Sequence, residues 1–131
     1  MTLVVDASVI VAALVDSGPV GEWAEALLTL NLVAPQLLHV EVANVLRRAA
    51  HSGDISEDTA SLAHVDLLDL RIDLVPYEVV ATRVWDLRHN LTAYDAWYVA
   101  AAELMDCPLA TLDQRLAASP GSACTFHTPG D

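Results

Sequence analysis

Asp6, Glu41, Asp95 and Asp113 stand apart from the other acids of this 131-residue chain. Asp6 directly follows the apolar run Leu3, Val4, Val5, and Asp113 directly follows the run 109–112, so each closes an expected strand. Glu41 and Asp95 ride on expected helices. Two strand-end aspartates and two helix-borne carboxylates make the donor set of a hard divalent cation such as Mg²⁺ or Mn²⁺, which prefers oxygen ligands and keeps several waters. Without a counter-charge such a cluster repels itself. Each acid also has a plainer role. Asp6 and Asp113 suit helix caps, Asp95 lies three residues after Thr92 in a capping-box pattern, and Glu41 belongs to a polar helical stripe with Asn44 and Arg48. The argument for chemistry is their combination.

The elements that must position these acids follow from the hydrophobic pattern. Strands are expected at 3–5, 32–34, 72–75, 109–112 and 124–127, and helices at 7–15, 20–30, 37–50, 56–69, 78–90, 92–105 and 114–118. In the helix 37–50 the inward set is Leu38, Val42, Val45, Leu46 and Ala49; in 56–69 it is Leu62, Val65 and Leu68. Short strands alternating with helices predict a three-layer α/β/α domain with a short, mostly parallel sheet, in which functional groups gather at the carboxyl ends of strands. No linker or repeat divides the chain, so residues 1–131 read as one domain.

Composition narrows the chemistry. The chain carries 18 acidic and 6 basic residues, a formal net charge of −12, and every basic residue is an arginine. The absence of lysine excludes Walker-type phosphate loops, Schiff-base enzymes, receiver domains and aspartate-nucleophile phosphatases, each of which needs an ammonium group at its site. An acidic surface repels nucleic acid unless a cation or a local arginine offsets the field. One or two bound dications would do so, and would suit phosphodiester hydrolysis by polarising the phosphoryl oxygen and activating a water. Cys107 and Cys124 lack any zinc-like spacing and read as buried reduced thiols. Asp6 interrupts the amino-terminal apolar run, so neither a secretory signal nor a membrane span is expected, and the cytoplasm is the expected location.

The ordered motifs carry a resemblance. Val4-Val5-Asp6-Ala7-Ser8, the helical Glu41-Val42-Ala43-Asn44, the block Thr92-Ala93-Tyr94-Asp95-Ala96-Trp97-Tyr98 and Ala110-Thr111-Leu112-Asp113 together resemble a PIN domain, and more narrowly the VapC toxins of toxin–antitoxin pairs. The resemblance spans nearly the whole chain. It implies a Mg²⁺- or Mn²⁺-dependent endoribonuclease in which Asp6, Glu41, Asp95 and Asp113 form the catalytic metal pocket, Asp6 and Asp95 as direct ligands and the other two directly or through water. Ser8, Asn44 and Thr111 match neighbours that support those acids by hydrogen bonding. The resemblance also implies a homodimer, a cognate VapB-type antitoxin, a structured RNA substrate such as transfer RNA, and inhibition of translation until the antitoxin binds. The expected reaction leaves a 5′-phosphate and a 3′-hydroxyl.

The remaining residues agree with metal-assisted hydrolysis. Metal-free ribonucleases use a histidine pair for proton transfer, and His39, His51, His64, His89 and His127 show no such organisation. Tyr94, Trp97 and Tyr98 are expected to pack on the helix that carries Asp95, with base stacking as the other option. Arg47 and Arg48 are candidates for phosphate contact or for holding the acids. Two other readings stay open: a catalytically inactive interaction module in which the acids are only caps, and a metal-dependent phosphodiesterase acting on DNA or a small phosphate ester.

Overall fold

The computed structural model describes residues 1–130. Its twelve elements are β1 (Thr2–Val5), α1 (Ala7–Val15), α2 (Pro19–Leu27), β2 (Asn31–Pro35), α3 (Leu38–His51), α4 (Glu57–Asp69), β3 (Ile72–Val75), α5 (Tyr77–Asp86), α6 (Ala93–Met105), β4 (Leu109–Ala110), α7 (Gln114–Ala117) and β5 (Phe126–His127). The strands pair in the order β3-β2-β1-β4-β5, and all four pairings are parallel. This is the expected three-layer α/β/α architecture.

The strand order explains where a site can form. From β1 the chain winds outward through β2 to β3, then α5 and α6 carry it back across the sheet to β4 on the other side of β1. The winding reverses between β1 and β4, and in open parallel sheets the crevice at such a switch point, outside the carboxyl ends of the strands, is where ligands bind. Val5 pairs with Ala110 at that edge. Asp6 and Thr111 are therefore the first residues past the ladder on the two flanking strands.

The core fills the sheet faces with Leu3, Val4 and Val5 of β1, Val33 and Ala34 of β2, and an alanine-rich run, Ala100, Ala101 and Ala102, on α6. Such small side chains let α6 lie close to β1, β2 and β4, which it contacts. Asp106 ends α6 in the left-handed conformation, φ 49°. That conformation favours glycine but is open to aspartate, and it turns the chain into Cys107 and Pro108 ahead of β4.

Two features depart from the sequence expectation. α4 turns Ala63 and Leu67 inward, while Leu62, Val65 and Leu68 lie outward at 66%, 57% and 63% exposure. The two stripes have equally good helical spacing; close packing of α4 on α3 and α1 favours the one containing alanine. Cys107 and Cys124 are free but only half-buried, beside each other at the amino-terminal edge of β4 and β5. Several elements are also shorter than expected. α2 and α5 stop at Leu27 and Asp86 because the next residues close tight i to i+3 turns, Leu30 N to Leu27 O and Arg88 N to Trp85 O.

Candidate active site

Asp6 is built into the junction between β1 and α1. Its backbone is extended, and its Oδ1 accepts from the Val9 amide at 3.1 Å, so it caps α1 as a plain helix signal would. A cap does not require burial, yet Asp6 is 8% exposed. Apart from the phenol-bearing Tyr98, Asp6 and Thr111 are the only buried polar side chains among the described residues, and the Thr111 hydroxyl donates to Asp6 Oδ2 in a short hydrogen bond. Ser8 donates to Oδ1 at 2.5 Å.

The same two hydroxyls tie β1 to the β4–α7 turn. Ser8 Oγ accepts from the Leu112 amide at 3.2 Å, and Thr111 Oγ1 accepts from the Asp113 amide at 3.0 Å. Asp113 in turn caps α7, its Oδ1 accepting from the Arg115 and Leu116 amides. The plainer cap roles of Asp6 and Asp113 are thus both realised, and in each case they fix a carboxylate at the mouth of the switch-point crevice.

The helical acids are held differently. Glu41 lies in the first turn of α3 and accepts at 2.6 Å from the phenol of Tyr98, which is 3% exposed on α6. Asp95 lies in the first turn of α6, where Thr92 Oγ1 accepts from its amide at 3.2 Å. The reciprocal half of a capping box is missing: among the described residues no donor reaches the Asp95 carboxylate. It is half-buried and open to solvent, with no protein donor on its oxygens.

The electrostatics show that the acids share one region. Burial pushes the Asp6 carboxyl above its ordinary range, against the pull of its hydrogen bonds. Glu41 is raised by burial and then by the charges of Asp6 and Asp95, with the Tyr98 hydrogen bond opposing. Asp95 is raised by burial and by Asp113, with Arg115 acting the other way. Burial and the Glu41 hydrogen bond push the Tyr98 phenol far up, so it stays a proton donor. None of the four acids joins an ion pair; the one among the described residues, Arg83 to Glu103 at 2.6 Å, links α5 to α6.

Among the described residues no three His, Cys, Asp or Glu side chains already converge as a ready-made ligand group. The acids reach one another through charge rather than contact. A small hard cation needs only one or two carboxylates and keeps several waters. The donor set is all oxygen, three of its members resist ionisation, and Asp95 has open lone pairs, so the residues present fit a divalent metal.

A cleft of about 520 Å³ opens beside Asp95 and Asp113, lined also by Asn90, Thr92, Arg115 and Ser119. Asp6 and Glu41 lie outside its lining. Other sequence candidates are placed elsewhere. Asn44 is exposed, and its Oδ1 accepts from Arg47 Nε at 3.3 Å, so in this structure it supports no pocket acid. Arg47 is engaged by that bond, and Arg48 lies exposed near the far end of α3. Trp97 packs edge-on against Tyr77 and donates to Val75 O, whereas Tyr94 is 62% exposed, the one aromatic of its block that does not pack inward. The Tyr98 bond to Glu41 was not foreseen; the signal was its position one turn after Asp95, which aims both side chains to one side of α6.

A five-stranded parallel sheet in the order 3-2-1-4-5, with carboxylates from β1, α3, α6 and the β4–α7 turn around its switch point, defines a class of acid-pocket α/β domain. Comparison with known proteins gives that class its name. The PIN domain profile matches residues 3–121, and the ribonuclease VapC1 of Mycobacterium tuberculosis is 44% identical over 130 residues, covering 92% of each chain. The chain belongs to the PIN-domain family, among its VapC proteins. Two solved structures share the fold. One is Mycobacterium tuberculosis VapC20, a sarcin–ricin-loop cleaving toxin (TM-score 0.65, 16% identity, 88% of this chain and 93% of that one). The other is VapBC2 of Rickettsia felis bound to a DNA fragment from their promoter (TM-score 0.62, 11% identity, 98% of both chains).

Proposed function

We propose that this protein is the endoribonuclease toxin of a toxin–antitoxin pair, one PIN domain that hydrolyses RNA phosphodiesters with the help of Mg²⁺ or Mn²⁺. The observation that carries the reading is Asp95: a half-buried carboxylate, raised by burial and by Asp113, that no protein donor satisfies, in a chain 44% identical to a named ribonuclease. Asp6 and Asp95 would hold the cation, with Glu41 and Asp113 completing the pocket directly or through water. A cation bound there supplies Lewis-acid stabilisation of phosphoryl charge and a nucleophilic water near neutral pH.

The chain's own residues supply position. Thr111, Ser8 and the Val9 amide lock the Asp6 carboxylate into one orientation, and Tyr98 does the same for Glu41. Pre-set carboxylates need no reorganisation when the phosphodiester arrives. The reading assigns the histidines no part: His51, His64 and His89 are exposed, His127 lies against Trp23, and His39, half-buried on α3, has no second histidine beside it in sequence to make a proton-transfer pair. Cleavage independent of the substrate 2′-hydroxyl leaves a 5′-phosphate and a 3′-hydroxyl.

Transfer RNA or another folded RNA is the proposed substrate, inhibition of translation the consequence, and the cytoplasm the location. No helix among the described residues is long and apolar enough to cross a membrane. The net charge of −12 favours a basic antitoxin tail. Val40, Leu62, Val65 and Leu68 leave apolar surface on α3 and α4 for a homodimer or antitoxin to cover.

The test is incubation of the purified, antitoxin-free protein with total transfer RNA, single-stranded DNA and nucleotides, with and without Mg²⁺ or Mn²⁺, and mapping of product ends. Metal-dependent RNA cleavage giving 5′-phosphates is expected. Cleavage of DNA or a small ester alone would transfer the activity to that substrate, and cleavage of nothing would leave an interaction module.

A further inference from the structure

A chain with 18 acids, six arginines and no lysine must still bring a polyanion to its site. The bound cation answers only the phosphate being cleaved; the neighbouring phosphates of the strand meet the field of the whole protein. The position of each arginine therefore matters. Arg83 is spent on a bidentate contact with Glu103 and on Gly121 O. Arg88 lies over the Trp85 ring and donates to the Trp85 carbonyl. Arg47 is bonded to Asn44 on its own helix. Arg48 and Arg71 are exposed but outside the cleft beside Asp95 and Asp113.

Arg115 is the one cation in that cleft's lining, and its guanidinium makes no hydrogen bond or ion pair among the described residues. Its backbone amide is held by Asp113, so the side chain issues from a fixed point next to a pocket acid. Around it stand neutral groups that can donate to phosphate or ribose oxygens: the Asn90 amide and the Thr92 and Ser119 hydroxyls. Leu91, Leu116 and Pro120 complete the lining with apolar surface against which a nucleotide can lie. A hydrogen-bonding recess that holds one arginine free of any ion pair, and that opens directly from two pocket acids whose charge a bound cation would offset, has the chemistry of a nucleotide subsite.

We propose that this cleft binds the nucleotide flanking the cleaved bond, with Arg115 as the counter-charge for its phosphate and Asn90, Thr92 and Ser119 as its polar contacts. The inference rests on the ribonuclease reading and specifies where the strand runs: from the acid pocket toward α7, rather than toward α3. It makes RNA binding depend on one arginine, with a correspondingly shallow salt dependence.

The test is a fluorescence-anisotropy titration of a short fluorescein-labelled single-stranded RNA of mixed sequence, with Mg²⁺ or Ca²⁺ present, over a series of NaCl concentrations. RNA integrity is checked after each titration, and transfer RNA cleavage is assayed in parallel. Arg115→Gln is expected to weaken binding about tenfold, the loss of one charge-assisted contact, and to reduce the slope of log K against log salt by about 0.7. Arg115→Lys should keep the slope, and Arg71→Gln, with the same change in net charge, should keep both slope and affinity. Equal losses in Arg115→Gln and Arg71→Gln would mean that only total charge matters and would overturn the subsite. Unchanged binding in Arg115→Gln, with cleavage intact, would overturn it and leave the ribonuclease standing. Failure of the unsubstituted protein both to bind RNA and to cleave it would remove both.

Discussion

The two sides of the acid pocket are built on opposite plans. On the sheet side, Asp6 is buried and accepts from Ser8, Val9 and Thr111, and Asp113 is fixed by two amides of α7. On the helix side, Glu41 has a single donor and Asp95 has none. The sheet side is a scaffold that would exist whether or not anything bound. The helix side is answered more weakly, Glu41 by the one phenol and Asp95 only by the charge of Arg115, and a partly buried carboxylate without a protein donor is open to a ligand. Pre-organisation and receptivity are thus assigned to different elements of one site.

The strongest break of that comparison is to neutralise one member of each side. Asp6→Asn and Asp95→Asn are each expected to lower RNA cleavage about a thousandfold, the scale of losing a principal charge-stabilising group, as measured by single-turnover kinetics with saturating Mn²⁺. Their stabilities should part: only Asp95→Asn, which has no hydrogen bond to lose, is expected to raise the metal-free melting temperature.

Thr111→Val attacks the scaffold alone. It keeps the shape of a fully buried side chain but leaves one oxygen of Asp6 without its donor, at an expected cost of about 1–3 kcal/mol in urea unfolding. Cleavage should fall about 10- to 100-fold with it, as it does when an outer partner of a metal ligand is lost. Tyr98→Phe is the milder counterpart on the helix side. It releases Glu41, is expected to weaken Mn²⁺ affinity about tenfold by calorimetry, and should leave metal-free stability nearly unchanged because Glu41 remains partly solvated.

The smallest effect is a slope. Asp6, Glu41 and Asp95 all hold their protons to higher pH in the folded state than in the unfolded one. Over that window the folded state binds more protons, so the contribution of these groups to metal-free stability falls as pH rises from the ordinary carboxylate range through the raised values. Thermal melts of the metal-free protein across mildly acid to neutral pH should show this decline less steeply in Asp95→Asn than in the unsubstituted chain.

The sheet side was the more legible in sequence. A short apolar run ending in aspartate states both a strand and its carboxyl end, which sets Asp6 directly after β1; the same pattern carries the fourth strand to 112, whereas β4 ends at Ala110 and Asp113 lies in the turn beyond it as the cap of α7. The helix side was less so, because spacing puts Glu41 and Asp95 on a face without saying what lies opposite. Tyr98 as the donor to Glu41 and Asn44 as a bystander both depend on how α3 and α6 meet, a long-range fact that no local pattern contains. The same limit explains α4, whose stripe of Leu62, Val65 and Leu68 reads as core although Ala63 and Leu67 fill that place. An apolar stripe marks a surface to be covered, and the sequence does not say whether its own fold or another chain covers it.

The most direct test of the site is thermal unfolding of the protein and of Asp95→Asn, each with and without Mn²⁺. The unsubstituted protein is expected to gain stability from the cation, by about 2.7 kcal/mol at a hundredfold excess over the dissociation constant. Asp95→Asn is expected to start higher and gain far less. An Asp95→Asn protein that starts lower than the unsubstituted chain and gains as much from Mn²⁺ would show that Asp95 is a structural residue and that the metal site lies elsewhere.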